Sequence, residues 1–152
     1  MVWRRCVMKI RLIVAALATI MLFPVFSTAG DVVLIGNSSI RQSTVSKQDI
    51  MLIFLGTKNA WADGSKIVFA IQKNKKLNRL FLKKYVGKSP SQYANHLRKL
   101  VFTGKRSSPR ICDGNQEMIK FVSETKGAIG YVSTESALTG SALNEVKTIN
   151  VK

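Results

Sequence analysis

The segment from residue 72 to residue 79 combines side chains that could bind an anion. Its amides can donate hydrogen bonds, and its lysines add full positive charges as flexible donors. A helix predicted to start in this segment would add unpaired N–H groups and a partial positive charge. The sequence therefore predicts an oxyanion site here, and a solvated cationic helix face is the alternative. The candidate donors are Gln72, Asn74, Lys75, Lys76 and Arg79.

A second polar group follows the apolar run at residues 31–36. Residues 31–36 (DVVLIG) are rich in β-branched side chains and predict a buried strand. Asn37, Ser38 and Ser39 come directly after it, and open α/β sheets place ligands at the carboxyl ends of strands. We include these three residues in the candidate oxyanion site, with an ordinary polar turn as the alternative.

The residues that could support catalysis are few and scattered. His96 is the only histidine, and it lies in a helix predicted to start at Pro90. Cys112 has no second thiol near it, and an unpaired cysteine of this kind is more often structural. The eight acidic side chains match no metalloprotease or EF-hand spacing, and the chain has neither a P-loop nor a GxGxxG motif. We therefore predict a protein that is not an enzyme and that uses no cofactor or metal.

Strands and helices alternate along residues 31–152. Besides 31–36, strands are predicted at 66–71, at 128–132 and in a final alternating segment in which Ile149 and Val151 share a face. One helix starts at the cap Ser46 and ends near Gly56. A second helix ends at Gly87 and carries the apolar residues Leu77, Leu80, Phe81 and Tyr85. A third starts at Pro90 and is predicted to bury Tyr93, Leu97, Leu100 and Val101. A fourth is capped by Asp113 and carries Met118, Ile119 and Val122. This order predicts a single α/β domain with one sheet.

The first 29 residues have the order of a cleavable secretory signal peptide. Four basic residues precede an uncharged apolar run from Leu12 to Phe26, and the small residues Ser27 and Ala29 would direct cleavage before Gly30. A membrane anchor is the alternative, but a spanning helix needs about 20 apolar residues. Met8 is an alternative start to Met1. We therefore predict a signal peptide at 1–29, a domain at 30–152 and a periplasmic, bacterial location.

The net charge is smaller when the predicted signal peptide is excluded. The whole chain has a formal charge of +16, while residues 31–152 carry 20 basic and 8 acidic side chains, which gives +12. No stretch has the interleaved aromatic and basic residues or the zinc-finger spacing of a nucleic-acid reader. We therefore predict no nucleic-acid partner.

Three segments together resemble a known family. They are SKQDIMLIFLGTKNAWADGSKIVFAIQ (46–72), RLFLKKYVGKSPSQYANHLRKLVFTGK (79–105) and ETKGAIGYV (124–132). In this order they resemble the phosphate-type extracytoplasmic solute-binding proteins of ABC transporters, and especially short, single-lobe members. The resemblance covers almost all of residues 31–151.

The resemblance implies a fold and a function. The fold would be α/β, a single lobe of a type II periplasmic-binding-protein fold with a mixed sheet flanked by helices. Full-length members clamp an oxyanion between two lobes, and a D-G-S-G-T loop after the strand read here as IVFAI supplies hydroxyls. In this sequence that stretch is Gln72 to Leu77, which lacks those hydroxyls.

The function that follows is non-catalytic binding of inorganic phosphate or a related oxyanion, linked to ABC transport through a transporter permease. The alternative is a ligand-free interaction module that docks onto a membrane sensor or transporter. A third hypothesis is that the protein adheres to anionic lipid headgroups through its net positive charge. Homodimerisation could complete a cleft from two single lobes.

Overall fold

The computed structural model describes residues 31–105, 107–139 and 146–152; the predicted signal peptide lies outside them. In chain order the strands are β1 (Val32–Asn37), β2 (Thr44–Val45), β3 (Val68–Gln72), β4 (Arg110–Cys112), β5 (Ala128–Ser133) and β6 (Val146–Val151). The helices are α1 (Lys47–Phe54), α2 (Lys75–Phe81), α3 (Pro90–Phe102), α4 (Asn115–Glu124) and α5 (Thr134–Thr139), and a π-helical turn (Leu82–Val86) directly continues α2.

The six strands form one mixed sheet in the order β2-β6-β1-β5-β3-β4. Only β1 runs against the others: it pairs antiparallel with β5 and with β6, while the β2–β6, β3–β5 and β3–β4 pairs are parallel. The carboxyl ends of five strands and the amino end of β1 therefore meet at one edge of the sheet, which we call the carboxyl edge. The opposite edge is called the amino edge.

Helices cover both faces of the sheet. The larger apolar cluster packs α1, α2, the π-helical turn and α3 against one face, with Phe54, Phe81 and Tyr131 among its largest side chains. The smaller cluster packs Met118, Ile119 and Val122 of α4 against the other face. The α/β class and the mixed sheet flanked by helices are confirmed.

Several predicted elements are formed with their predicted ends. Ser46 caps α1 by accepting a hydrogen bond from the Asp49 amide, and Gly56 adopts a left-handed conformation just after that helix. Ser89 and Gln92 form a reciprocal capping box at the start of α3, with Pro90 as its first residue. The capping chemistry written into the sequence thus fixes where these helices begin.

Other details differ from the prediction. Asp113 does not cap α4: Gly114 occupies the N-cap position without a side-chain bond, and Asp113 pairs instead with Lys73. Leu80 and Val101, expected to be buried, are 36% and 38% exposed, because α2 and α3 pack through narrower stripes than the apolar pattern suggested. The short strands β2 and β4 and the polar helix α5 were not predicted, since segments of two to six residues show no clear periodicity. Within the described residues no helix is long and apolar enough to cross a membrane.

Candidate functional site

Polar side chains gather where β3, β4 and β5 end at the carboxyl edge. Gln72 is the last residue of β3, Asn115 begins α4 shortly after β4, and Ser133 is the last residue of β5. Parallel pairing of β3 with both neighbours brings these strand ends side by side. This is the edge at which open α/β sheets bind ligands.

A hydrogen-bond network connects these side chains. The buried Gln72 amide donates from Nε2 to Asn115 Oδ1 at 2.7 Å and to the Tyr131 carbonyl oxygen at 3.2 Å. Asn115 Nδ2 donates to Ser133 Oγ at 2.9 Å and to Ser136 Oγ at 2.6 Å, and the two serine oxygens lie 3.1 Å apart. Gln72 therefore orients Asn115 from below, and Asn115 holds the two hydroxyls in place.

Counting hydrogens in the serine pair gives one donor for a further group. Two hydroxyls carry two hydrogens, and the bond between Ser133 Oγ and Ser136 Oγ uses one of them. The Asn115 amide only donates to the pair, so it cannot accept the second hydrogen. Within the network that Asn115, Ser133 and Ser136 form, one hydroxyl hydrogen is therefore left over, whichever serine donates to the other. An acceptor near the pair would be bound by a hydroxyl that the network already polarises.

A cavity of about 370 Å³ opens beside this pair, between α2 and α5. Asn74 and Lys76 line it from the α2 side, and Leu77 and Leu80 form its apolar wall. Glu135 lies at the rim on the α5 side. The arrangement can hold a small anion or polar group between the Lys76 ammonium and a serine hydroxyl.

The start of α2 is already capped by its own side chain. Asn74 Oδ1 accepts from the Lys76 amide at 3.0 Å and from the Leu77 amide at 3.2 Å. These two amides are among the N–H groups predicted to bind an oxyanion, but they already donate to the Asn74 side chain. An anion at this edge would therefore be bound by side chains, including the Lys76 ammonium, rather than by the amides of the first turn of α2.

The predicted cations lie on the outside of α2. Lys75, Lys76 and Arg79 are exposed, and with Leu80 they line a second, shallow depression of about 310 Å³. Lys73 is paired with Asp113 across the β3–β4 ends at 3.0 Å, with both side chains largely exposed. The structure thus brings Gln72, Asn74 and Lys76 to one place and sets Lys75 and Arg79 on the neighbouring helix face.

Tyr131 supports the site from within the core. Its ring stacks on Phe81, with centroids 3.9 Å apart and planes within 2°. Its hydroxyl accepts from the Gln72 backbone amide at 3.1 Å and donates to Asn78 Oδ1 at 3.0 Å. Burial raises the pKa of this phenol well above its ordinary value, so the hydroxyl remains protonated. It ties the end of β3 to α2.

Asn37, Ser38 and Ser39 are not part of this site. Since β1 is the antiparallel strand, its carboxyl end lies at the amino edge, across the sheet from Gln72. Asn37 Nδ2 donates to the Val122 and Ser123 carbonyl oxygens at 2.7 and 2.8 Å, and Ser39 Oγ accepts from the Gly127 amide. The expectation that the end of β1 joins the other donors was wrong about the edge, because the direction of β1 cannot be read from its own residues.

The sequence pattern did not identify Asn115, Ser133 and Ser136 as site residues. Asn115 follows the short strand β4, Ser133 ends β5 and Ser136 lies just after it, and only the parallel pairing of β3, β4 and β5 places them together. The available signal was position: Asn115 and Ser133 follow or end strands, as Asn74 does.

His96 and Cys112, the other two potentially reactive side chains, both have structural roles in the fold. His96 Nε2 lies 2.8 Å from the Leu55 carbonyl oxygen and fastens α3 to the end of α1. Cys112 is buried at the end of β4, and burial raises the pKa of its thiol. In the part of the chain that the structure describes, no three metal-ligating side chains come together.

The fold is that of one lobe of the periplasmic-binding-protein architecture. A family model described as a PBP superfamily domain matches residues 23–152, and the chain belongs to this family. The predicted family resemblance is thereby confirmed. A comparison with curated proteins finds no match.

Several solved structures have the same fold as this chain. An ABC-type phosphate transport receptor from Vibrio cholerae aligns with a TM-score of 0.55 and 12% identity, over 80% of this chain and 46% of that one. PstS from Borrelia burgdorferi aligns with a TM-score of 0.55 and 16% identity, over 81% and 47%. A protein from Clostridium perfringens is described as a phosphate ABC transporter substrate-binding protein and was solved with bound phosphate. It aligns with a TM-score of 0.52 and 16% identity, over 80% of this chain and 45% of that one. The chain spans about half the length of these proteins.

Proposed function

We propose that this protein is a non-catalytic solute-binding lobe that recognises inorganic phosphate or a related oxyanion at its carboxyl edge, in a role linked to ABC transport. One observation carries the proposal: the cavity between α2 and α5 is lined both by Lys76 and by the Ser133–Ser136 pair, whose network leaves one hydroxyl hydrogen. Hydrogen bonds to a charged group contribute about 1.5–3 kcal/mol each, so the loss of either donor should weaken binding measurably. The phosphate transport receptor from Vibrio cholerae and the phosphate-bound protein from Clostridium perfringens, which share the fold, support the ligand class.

The proposed site narrows the set of ligand residues. Lys76 would supply charge, the Ser133–Ser136 pair would donate a hydrogen bond, and Asn115 would orient the pair. Asn74 would contribute through its amide nitrogen, because its oxygen caps α2. Lys75 and Arg79 would add long-range attraction from the adjacent helix face.

A single lobe exposes its carboxyl edge, so a partner would have to cover the ligand. Since the chain spans about half of the solved receptors, a second copy of the chain or a transporter permease could supply the opposing surface. The exposed edge carries cations on α2, and two copies facing each other would repel unless an anion lay between them. We therefore expect any dimer to be favoured by phosphate.

Export is part of the same proposal. The basic start, the apolar run and the small residues before Gly30 are arranged as a cleavable leader, and a periplasmic receptor must leave the cytoplasm. The intact mass of the protein recovered from the periplasm tests this. We expect a chain that begins at Gly30; a cell-bound protein that retains its first 29 residues would contradict cleavage.

A second candidate is a protein-interaction module without a solute. It is favoured by the state of the donors predicted from the sequence: Asn74 caps the α2 amides, and Gln72 is bonded to Asn115 and to the Tyr131 carbonyl oxygen. Such a module would dock onto a membrane sensor or transporter.

Titration calorimetry at low salt separates the two candidates. We expect saturable heat with phosphate, a loss of affinity of about tenfold or more in Lys76→Gln, and a similar loss in the double variant Ser133→Ala/Ser136→Ala. Each single serine variant should lose less, because the remaining hydroxyl can still donate. Ser91→Ala, at an exposed position on α3, is the matched control and should bind as the wild type. Absence of saturable heat at millimolar phosphate and sulfate would favour the interaction module.

A further inference from the structure

A separate cavity of about 380 Å³ lies at the amino edge, at the other end of β3. It is formed between the beginning of β3 and the connection from α3 to β4. The five residues of β3 separate it from the carboxyl edge by roughly 16 Å, at about 3.3 Å per residue. It therefore cannot share a ligand of phosphate size with the site proposed above.

The lining of this cavity carries three cations and no acid. Lys66, Lys105 and Arg110 are all exposed, and the other polar groups are the side chains of Asn59, Ser107 and Ser108. The Arg110 guanidinium is partly neutralised by Glu117, which lies 2.9 Å away and is not a lining residue. Two positive charges thus remain uncompensated by any ion pair in the described part of the chain.

Each cation extends from a backbone that is held in place. The Lys105 amide donates to the Leu100 carbonyl oxygen at 3.1 Å, in the turn where Gly104 adopts a left-handed conformation and ends α3. Arg110 begins β4 and is paired in register with Ala70.

The backbone of Lys66, the third cation, is held by the turn before β3. Lys66 forms an isolated antiparallel bridge with Ala60. The indole of Trp61, in the same turn, donates to the Gly127 carbonyl oxygen at 3.0 Å. The three side chains therefore emerge around one cavity from fixed positions, although their ends are free to adapt.

The cavity also has an apolar floor and hydroxyl groups. Val68 and Phe69 form the floor, and Pro109 limits the conformations of the connection just before β4. A volume of this size is within the range of small-molecule sites. Hydroxyls and ammonium groups around an apolar floor suit a compact ligand with several anionic oxygens.

From this arrangement we infer that the amino edge carries a second anion site, which takes a small ligand with at least two negative charges. Inorganic triphosphate is the probe, because it presents several charged oxygens within a length that the cavity accommodates. Lys66 and Lys105 are the principal charge partners, and Ser107 and Ser108 are the hydroxyl donors. Binding weakens with salt but is confined to this cavity.

The test is a triphosphate titration of the whole protein followed by calorimetry and by amide shifts in NMR. We expect saturable binding, shifts concentrated at Ser107 and Ser108, and at least a tenfold weaker affinity in Lys66→Gln/Lys105→Gln. The pair Lys83→Gln/Lys120→Gln removes the same charge at exposed positions outside the cavity and should change affinity less than twofold.

Three results would overturn the inference: no saturable binding, equal weakening by both pairs of substitutions, or shifts confined to the carboxyl edge. Equal weakening would mean diffuse attraction by the net charge. Because Lys76→Gln acts only on the carboxyl-edge site, its effect on phosphate binding is read separately, and either site can fail without the other.

Discussion

Three amide side chains determine what the carboxyl edge can still bind. Asn74 uses its oxygen to cap α2, Gln72 donates into the core, and Asn115 holds two serine hydroxyls. Each of these side chains therefore spends hydrogen-bonding capacity within the protein. The donors that we propose for the ligand are one hydroxyl hydrogen of the serine pair, the Asn74 amide nitrogen and the Lys76 ammonium, and the proposed specificity depends on them.

Tyr131→Phe tests the residue that anchors this edge. The substitution keeps the stacked ring but leaves the buried Gln72 backbone amide without its acceptor. We expect the free energy of unfolding to fall by about 1–3 kcal/mol at pH 7, measured by urea denaturation. A loss below about 0.5 kcal/mol would show that the hydroxyl contributes little.

The same substitution carries a pH signature. Burial raises the pKa of Tyr131, so the folded protein keeps a proton that the unfolded chain releases near pH 10. The stabilisation is fully present below that pH and is lost as the pH rises further. The stability difference between the wild type and Tyr131→Phe should therefore narrow above pH 10, and a constant difference would contradict the assignment.

Asn74→Ala tests the cap of α2. Removing the side-chain oxygen frees the Lys76 and Leu77 amides from their acceptor, and an N-cap of this type contributes about 1 kcal/mol. Ser89→Ala, at the capping box of α3, is the comparison. We expect losses of similar size in thermal unfolding; an unchanged midpoint for Asn74→Ala would mean that water caps α2 equally well.

At the scale of elements, the turn before β3 is fixed by close contact with the connection before β5. The 59–66 turn is held against the α4–β5 connection, where Gly127 lies close to the Lys66 carbonyl oxygen and accepts from the Trp61 indole. Gly127 also adopts a left-handed conformation, with φ of 71°. Both requirements exclude a side chain at this position.

Gly127→Ala and Gly87→Ala form a matched pair. Both glycines have φ of 71°, but a Cβ at Gly87 meets no atom within 4 Å, while one at Gly127 collides with the Lys66 backbone. We expect Gly87→Ala to cost about 1–2 kcal/mol from backbone strain alone and Gly127→Ala to cost clearly more. Equal losses in chemical denaturation would refute the close approach.

The elements also show what sequence reasoning can reach. Caps such as Ser46 and Ser89 and stop residues such as Gly87 are local, so the helix ends that they set were predicted. The direction of β1 depends on its partners β5 and β6, so Asn37 was assigned to the wrong edge. The serine pair was missed for the same reason, since strand pairing and not spacing joins Asn115 to Ser133 and Ser136.

At the scale of the whole molecule, a strong positive charge is arranged around a single lobe. Only a few of its cations are paired with acids in the described residues, among them Lys84 with Asp31 and Lys58 with Asp49. Uncompensated cations repel one another in the folded state and attract anions from solution. The two proposed sites concentrate that attraction at opposite edges of the sheet.

The paired carboxylates predict acid sensitivity. A hydrogen bond from Lys84 lowers the pKa of Asp31, and one from Lys58 lowers that of Asp49. A lowered pKa stabilises the folded state above the ordinary carboxyl range near 4, and this is lost as the pH falls through the lowered value.

We therefore expect the melting temperature to decrease from pH 5 to pH 3. In the double variant Asp31→Asn/Asp49→Asn the melting temperature should be lower at pH 7 and should decrease less over the same interval. Parallel profiles for the two proteins would contradict a role for these pairs.

The most direct test of the central claim is a crystal structure of the protein grown with phosphate. The account predicts an ordered anion in the cavity between α2 and α5, within hydrogen-bond distance of Lys76 and of Ser133 or Ser136. An empty cavity at saturating phosphate, or an anion bound only elsewhere on the surface, would contradict it.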